Sequence, residues 1–130
     1  MAIETDVLVI GCGIAGAAAA LHLAQDRQRQ VVVVTRATEA EESNTRYAQG
    51  GIVGRGEDDT PDLLAEDVLN AGAGLSRPSA VRILVEKGPE LVQRLLVEPG
   101  DIPFERAAEG RLSFTREGGH SVSRVLHVGD

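Results

Sequence analysis

The run Asp6-Val7-Leu8-Val9-Ile10 is followed at once by Gly11-Cys12-Gly13-Ile14-Ala15-Gly16. The first five residues are mostly apolar and β-branched, the composition of a buried strand. Ala17 to Ala24 (AAAALHLA) consists of strong helix formers, and Val31 to Thr35 (VVVVT) is a second apolar run of strand length. Strand, glycine turn, helix and strand in this order make a βαβ unit carrying a Gly-x-Gly-x-x-Gly turn. Alone, that spacing is a weak signal, because glycine punctuates many turns. Within a strand–helix–strand frame it points to a nucleotide phosphate. Gly11 permits the tight turn, Gly13 lets the backbone approach a pyrophosphate, and Gly16 lets the helix pack closely on the strand. The helix N-terminus adds unpaired N–H groups and a positive dipole end. The expected fold class is α/β, a Rossmann-like βαβ core with a parallel sheet.

The chain has 130 residues, enough for one small domain with its own core. Aromatic residues make up only 2%, so the core must be built from Val, Leu, Ile and Ala, as suits parallel strands between helices. The net charge of −7 argues against nucleic acid as a partner, since a phosphate backbone needs a basic surface. The single cysteine, Cys12, excludes an internal disulfide and a cysteine-based metal site. Its place inside the glycine turn fits occupancy of a variable position better than a redox thiol. No stretch reaches the roughly 18 apolar residues of a membrane span, and no basic region precedes the first apolar run as in a signal peptide. A reduced, cytoplasmic setting without a membrane partner is expected.

Beyond the βαβ unit, Arg36 to Glu42 (RATEAEE) reads as a loop or short helix start, and Ser43 to Ile52 (SNTRYAQGGI) shows no helical or strand period. Gly54 to Asp59 (GRGEDD) reads as a solvated turn. Thr60-Pro61 has the form of an N-cap with proline at the first helical position. The helix expected over Asp62 to Ala71 ends at Gly72 and Gly74. A further helix starts at Ser76-Arg77-Pro78, and Gly88-Pro89 should split or kink it. Pro99-Gly100-Asp101 is an expected turn. Ile102-Pro103-Phe104 and Leu112 to Thr115 are candidate strands of a hairpin. Arg116-Glu117-Gly118-Gly119-His120 is a polar loop, and Ser121 to His127 a candidate helix start.

Dinucleotide folds normally place an acid about 20 residues past the glycines, on the ribose hydroxyls. Here the second strand ends in Thr35-Arg36. Thr35 offers a weaker hydroxyl contact; Arg36 is either a cation for a phosphate or a solvated strand-end charge. The segment Asn44 to Gly51 could wrap a cofactor with backbone N–H groups, Thr45 and Gln49 adding side-chain donors and acceptors. Its turn-forming composition suits an ordinary surface loop equally well.

Four segments together are more specific. Gly11 to Gly16, Ser43 to Ile52 (SNTRYAQGGI), Ala71 to Leu75 (AGAGL) and Thr115 to Ser121 (TREGGHS) closely resemble the N-terminal part of the L-aspartate oxidase family. That family belongs with the flavoprotein subunits of succinate dehydrogenase and fumarate reductase. The resemblance spans essentially the whole chain. The AQGG segment is shared by the superfamily, and REGGH is more specific to aspartate oxidases. The resemblance implies FAD as cofactor, with Gly11, Cys12, Gly13, Ile14, Ala15 and Gly16 at the pyrophosphate and Arg36 near the adenosine. It implies that Asn44, Thr45, Arg46, Tyr47, Ala48, Gln49, Gly50 and Gly51 line the flavin and ribityl chain. Asn44 stands where membrane-associated succinate dehydrogenases carry the histidine that bonds covalently to flavin, so non-covalent FAD is implied. Thr35-Arg36 matches the hydroxyl residue and base of aspartate oxidases at the same place.

On the substrate side, Glu117 resembles the carboxylate that orients the substrate's amino group. His120 is either a substrate- or flavin-positioning residue or a structural histidine; His22 is expected at the surface and His127 in a structural role. The implied reaction oxidises L-aspartate to iminoaspartate for quinolinate and NAD biosynthesis. Fumarate or oxygen would accept the electrons, and functional coupling to quinolinate synthase is implied. Val122 and Ser123 depart from the basic residues that relatives often carry there. Family members are several times longer, so residues 1–130 are expected to form the N-terminal part of an FAD-binding domain. The capping and C-terminal helical domains would lie outside it, with the proton-transferring arginine and other carboxylate ligands. The sheet would then be incomplete relative to the full enzyme, and the chain alone inactive. The other readings are a soluble fumarate reductase-like flavoprotein and a non-catalytic nucleotide-binding module.

Overall fold

The structure is a computed structural model that describes residues 2–99 and 102–129. It divides into two compact units, Met1–Gln49 and Gly50–Asp130.

In the first unit, β1 (Val7–Ile10) and β2 (Val31–Val34) pair in parallel, from Val7 opposite Val31 to Ile10 opposite Val34. Helix α1 (Ile14–Leu23) connects them and completes the expected βαβ unit. Gly11 N–H donates to Val34 O at 2.7 Å, extending the ladder into the glycine turn. At the other end, Gln30 N–H donates to Asp6 Oδ2 at 2.8 Å and the Thr5 hydroxyl donates to Gln30 O at 2.7 Å, which sets where β2 begins. The strands are less buried than their apolar sequence predicts: Leu8, Ile10, Val33 and Val34 are exposed. One helix covers one face of a two-stranded sheet, and the pleat turns alternate side chains of β1 away from it. Residues 36–42 form bends and turns with no regular element, and Asn44–Tyr47 form one 3-10 turn.

In the second unit, β3 (Gly51–Val53) pairs antiparallel with β4 (Val125–His127). The 121–127 segment is therefore a strand entry and not the expected helix start. Val125 and Leu126 are both buried, so the segment shows no in–out alternation that could mark it as a strand. Strand β3 likewise emerges from a segment with no visible period, because three residues are too short to show one. The hairpin forms around Glu105–Ala107 and Arg111–Ser113, with an Arg106–Leu112 bridge and left-handed Gly110 (φ +79°) in its turn. Residues 102–104 lie outside it. Of the expected turn at residues 99–101, Gly100 and Asp101 lie outside the described residues.

Helix α2 (Pro61–Ala71) starts as its sequence predicts: the Thr60 hydroxyl accepts from Leu63 N–H at 3.2 Å, with Pro61 at the first helical position. Gly72 caps its end. Helix α3 (Pro78–Val92) runs unbroken through Gly88-Pro89 and passes into a π turn over Gln93–Val97. Proline leaves the carbonyl four residues earlier without its N–H partner. That carbonyl is Val85 O, and Arg55 Nη2 donates to it at 2.8 Å. An arginine from another segment thus supplies the hydrogen bond Pro89 removes, and the helix continues. Leu64, Val81 and Val85 form one apolar cluster between α2 and α3; Val92, Phe104 and Leu126 form another.

Arg55 also pairs with Asp59 at 3.1 Å. Asp59 is buried, as are Gly54 and Gly56, so the expected solvated turn is an inward-facing one. A Cβ on Gly56 would stand 2.0 Å from Ser123 O, which shows how closely the turn presses on the start of β4. There the fully buried Arg124 donates to Asp59 Oδ1 at 2.8 Å and to Asp67 Oδ2 on α2. Asp67 Oδ2 also accepts from Ser121 N–H at 2.8 Å and Ser121 Oγ–H at 2.9 Å.

Two outcomes test this packing. Gly to Ala inside a helix normally stabilises by about 1 kcal/mol. At Gly16 the new Cβ would lie 2.0 Å from Gly11 O, so Gly16→Ala should destabilise, by roughly 1–3 kcal/mol for an overpacked site. At Gly88 the nearest atom is Leu84 Cδ1 at an ordinary 3.7 Å, so Gly88→Ala should stabilise. Urea unfolding of both variants gives the signs. The second concerns acid. The Ser121 backbone N–H, then Arg124 and the Ser121 hydroxyl, outweigh desolvation and hold the Asp67 carboxyl at about 2, below its ordinary 3.8. A lowered carboxylate contributes stability above its ordinary value and loses it as pH falls through the folded one. Unfolding free energy should therefore drop between pH 3.8 and about 2, and Asp67→Asn should flatten that part of the profile.

Candidate functional site

A cleft of about 700 Å³ opens in the first unit at the carboxyl ends of β1 and β2. Its lining brings together three segments the sequence singles out: the glycine turn, Thr35-Arg36, and Ser43-Asn44-Thr45. The three glycines act differently. Gly11 has φ +102°, a left-handed conformation that side chains rarely adopt. Gly13 is the N-cap of α1 and faces Thr45, whose Oγ1 would lie 3.2 Å from a Cβ there. Gly16 allows the contact of α1 with the Gly11 carbonyl.

The first hydrogen bond inside α1 runs from Ala17 N–H to Gly13 O at 2.9 Å. The N–H groups ahead of it have no carbonyl of the helix to meet. Thr45 Oγ1 accepts the one on Ile14 at 3.1 Å, leaving those of Ala15 and Gly16 at the helix end. Thr45 therefore closes one side of the anion-binding end of the helix. Arg36 is exposed and has no ion-pair partner among the described residues. Arg46 and Tyr47 both turn to Glu42, at 3.6 and 2.6 Å. The hydrogen bond to Glu42 raises the Tyr47 phenol above its ordinary pKa. Cys12 is a free, half-buried thiol, Ala48 and Gln49 are exposed, and His22 is exposed as expected.

Gly50 and Gly51 belong to the second unit, where Gly51 opens β3 opposite His127. A Cβ on Gly51 would lie 3.0 Å from His127 Cε1 and 3.2 Å from Glu117 Oε1. The bare backbone of Gly51 leaves room for both. Glu117 Oε1 stands 2.9 Å from His127 Nε2, out of line with the ring N–H, so the two are in contact without an aligned hydrogen bond. The Glu117 side chain remains 46% exposed, so its carboxylate is open to an incoming cation. Neither Arg116 nor Arg124 takes Glu117 as partner. His127, expected to be structural, is its neighbour instead. His120 N–H donates to Glu117 O at 3.1 Å and closes the turn, in which Gly119 is left-handed at φ +83°. His120 Nδ1 lies 3.0 Å from Arg124 Nη1. The holders of this turn, Asp59, Asp67 and Arg124, are the residues sequence reasoning missed. Acidic residues in a Gly-Arg-Gly-Glu-Asp-Asp run look solvated until a buried arginine is known to face them.

Among the described residues no cluster could hold a metal ion, and no helix is long and apolar enough to cross a membrane. The FAD binding domain family matches residues 6–130. The L-aspartate oxidase of Streptomyces coelicolor is 46% identical over 129 residues, covering 98% of this chain and 22% of that protein. The L-aspartate oxidase of Halobacterium salinarum is 41% identical over 127 residues, covering 98% and 24%. The chain thus spans about a quarter or less of the length of these curated relatives. Among solved structures, the Mycobacterium smegmatis Sdh1 complex in the apo form aligns with TM-score 0.84 and 30% identity, over 97% of this chain and 21% of that one. A mutated E. coli quinol fumarate reductase FrdA aligns with TM-score 0.86 and 25% identity, over 95% and 21%. With its glycine turn, its βαβ unit and this match along nearly all its length, the chain belongs to the FAD binding domain family, and its cofactor is FAD.

Proposed function

We propose that this chain is the N-terminal part of the FAD-binding domain of an L-aspartate oxidase, which converts L-aspartate to iminoaspartate in a soluble, cytoplasmic setting and feeds quinolinate and NAD synthesis. The observation that carries the substrate is Glu117: a half-exposed carboxylate on a glycine-flanked turn, with no arginine neutralising it. Such a group attracts an ammonium and repels a dicarboxylate that lacks one. This favours aspartate over succinate as the molecule that is oxidised.

The cofactor cleft fits a pyrophosphate. The N–H groups of Ala15 and Gly16 have no carbonyl of the helix to meet, Gly13 leaves bare backbone beside Thr45 in the cleft wall, and Arg36 supplies a free cation on the rim. Asn44 lines the same cleft and carries an amide, which forms no covalent link to flavin; FAD is held non-covalently. When bound, FAD supplies acceptance of the hydride from the substrate Cα–H. The chain's own residues bind and orient. Gly13, Ala15 and Gly16 hold the phosphates, Thr45 shapes the helix end, and Glu117 holds the amine. Fumarate or oxygen serves as electron acceptor, and quinolinate synthase is the functional partner that consumes the product.

Gly13→Val should weaken FAD binding markedly while leaving helix content unchanged, as flavin fluorescence titration and circular dichroism would read; unchanged affinity would make Gly13 a mere turn former. In the complete enzyme, Glu117→Gln should raise the KM for aspartate by the equivalent of roughly 1–3 kcal/mol, the strength of a charge-assisted hydrogen bond. Fumarate binding should hold steady or tighten. Equal losses for both ligands in steady-state kinetics would mean that Glu117 only shapes the turn.

A further inference from the structure

Arg124 does more than fill the interior of the second unit. Its Nη1 carries two hydrogens. One is taken by Asp67 Oδ2, and the other points at His120 Nδ1, 3.0 Å away. A guanidinium only donates. His120 Nδ1 is therefore the acceptor, and the ring's proton sits on Nε2. A proton on Nδ1 would face the buried cation directly. The cluster's charges already cancel, with Arg55 and Arg124 opposite Asp59 and Asp67. Nη2 is held by Asp59, so the guanidinium cannot rotate away from the histidine. Among the described residues none bonds to His120 Nε2, and the ring is only part-buried.

We propose that Arg124 is a positioning residue that locks His120 as an Nε2–H donor, and that this N–H donates to a carboxylate oxygen of the substrate whose ammonium Glu117 receives. This rests on the aspartate reading above. The four residues Glu117 to His120 then present an acceptor for a cation and a donor for an anion on one turn, closed by the 3.1 Å bond from His120 N–H to Glu117 O. That combination is complementary to an α-amino acid and to neither an amine nor a dicarboxylate alone. An imidazole left free to exchange tautomers would spend part of its time offering the substrate carboxylate a lone pair.

The chain contains only three histidines, so selective ¹⁵N labelling gives a spectrum in which each can be assigned. Long-range ¹H–¹⁵N correlation should show His120 with Nδ1 unprotonated and Nε2 protonated in a single tautomer, while exposed His22 averages. A protonated Nδ1, or averaging at His120, overturns the role of Arg124 without any variant having to fold. Arg124→Lys, which removes the fork, should bring His120 to averaging; a His120 tautomer unchanged in a folded Arg124→Lys protein would overturn it too. In the FAD-loaded enzyme, His120→Leu should raise the KM for aspartate about tenfold, the worth of one hydrogen bond, with a much smaller change in kcat. His120→Gln, which keeps an N–H donor, should regain part of that loss. An unchanged KM in His120→Leu overturns the carboxylate contact. Failure of the aspartate reading looks different: Glu117→Gln is then kinetically silent while the His120 tautomer stays as expected.

Discussion

A guanidinium taken wholly out of water must be surrounded by acceptors, and that requirement at Arg124 organises the second unit. Desolvation works against the charge, but Asp67 and Asp59 more than offset it and raise Arg124 above its already high ordinary pKa. The two carboxylates come from the 54–59 turn and from α2. Meeting them therefore fixes both segments against the start of β4. The same constraint reaches further. Asp59 holds Arg55, Arg55 occupies Val85 O, and Val85 O is free because Pro89 has no N–H. A polar chain thus connects a strand entry to the interior of a helix. Removing one member of such a buried set costs about 3–5 kcal/mol, because the remaining charge is left uncompensated. Arg124 Nε lacks a partner among the described residues, so the set tolerates one unsatisfied donor and has little room for another.

The first unit is organised by backbone closeness instead. Gly11, Gly13 and Gly16 each lack a side chain for a separate reason: a left-handed φ, the nearness of Thr45 Oγ1, and a helix lying against a carbonyl. Thr45 then joins the loop after β2 to the helix end. The result is a cleft in which main-chain N–H groups of the helix end stand beside the half-buried Cys12 thiol.

The βαβ unit could be read from sequence because its signals are local: apolar runs, glycine spacing and an alanine-rich helix. The Thr60-Pro61 cap was legible for the same reason. What could not be read depends on residues far apart in the chain. Pro89 looked like a helix breaker because its rescuer, Arg55, lies more than thirty positions away. Residues 121–127 looked helical because the strand they pair with, β3, is only three residues long and carries no period of its own. The 54–59 turn looked solvated because acidic residues usually are. At the candidate site, Glu117 and His120 were found through a motif, whereas the carboxylates that hold Ser121 and Arg124 beside them, Asp67 and Asp59, lie 54 and 65 residues from those partners along the chain.

Gly51 stands where two vocabularies overlap. By motif it belongs to the cofactor loop, yet the space it leaves is occupied by Glu117 and His127. A methyl group there would be 2.9 Å from Val125 Cγ1 and within 3.2 Å of the Glu117 carboxylate. A lesion at this nominal flavin-loop glycine would then fall first on the surroundings of Glu117 and His127 in the second unit. Genetic variation at Gly51 is for that reason a change in how the turn of residues 117–120 packs on the second unit's sheet, whatever the motif suggests.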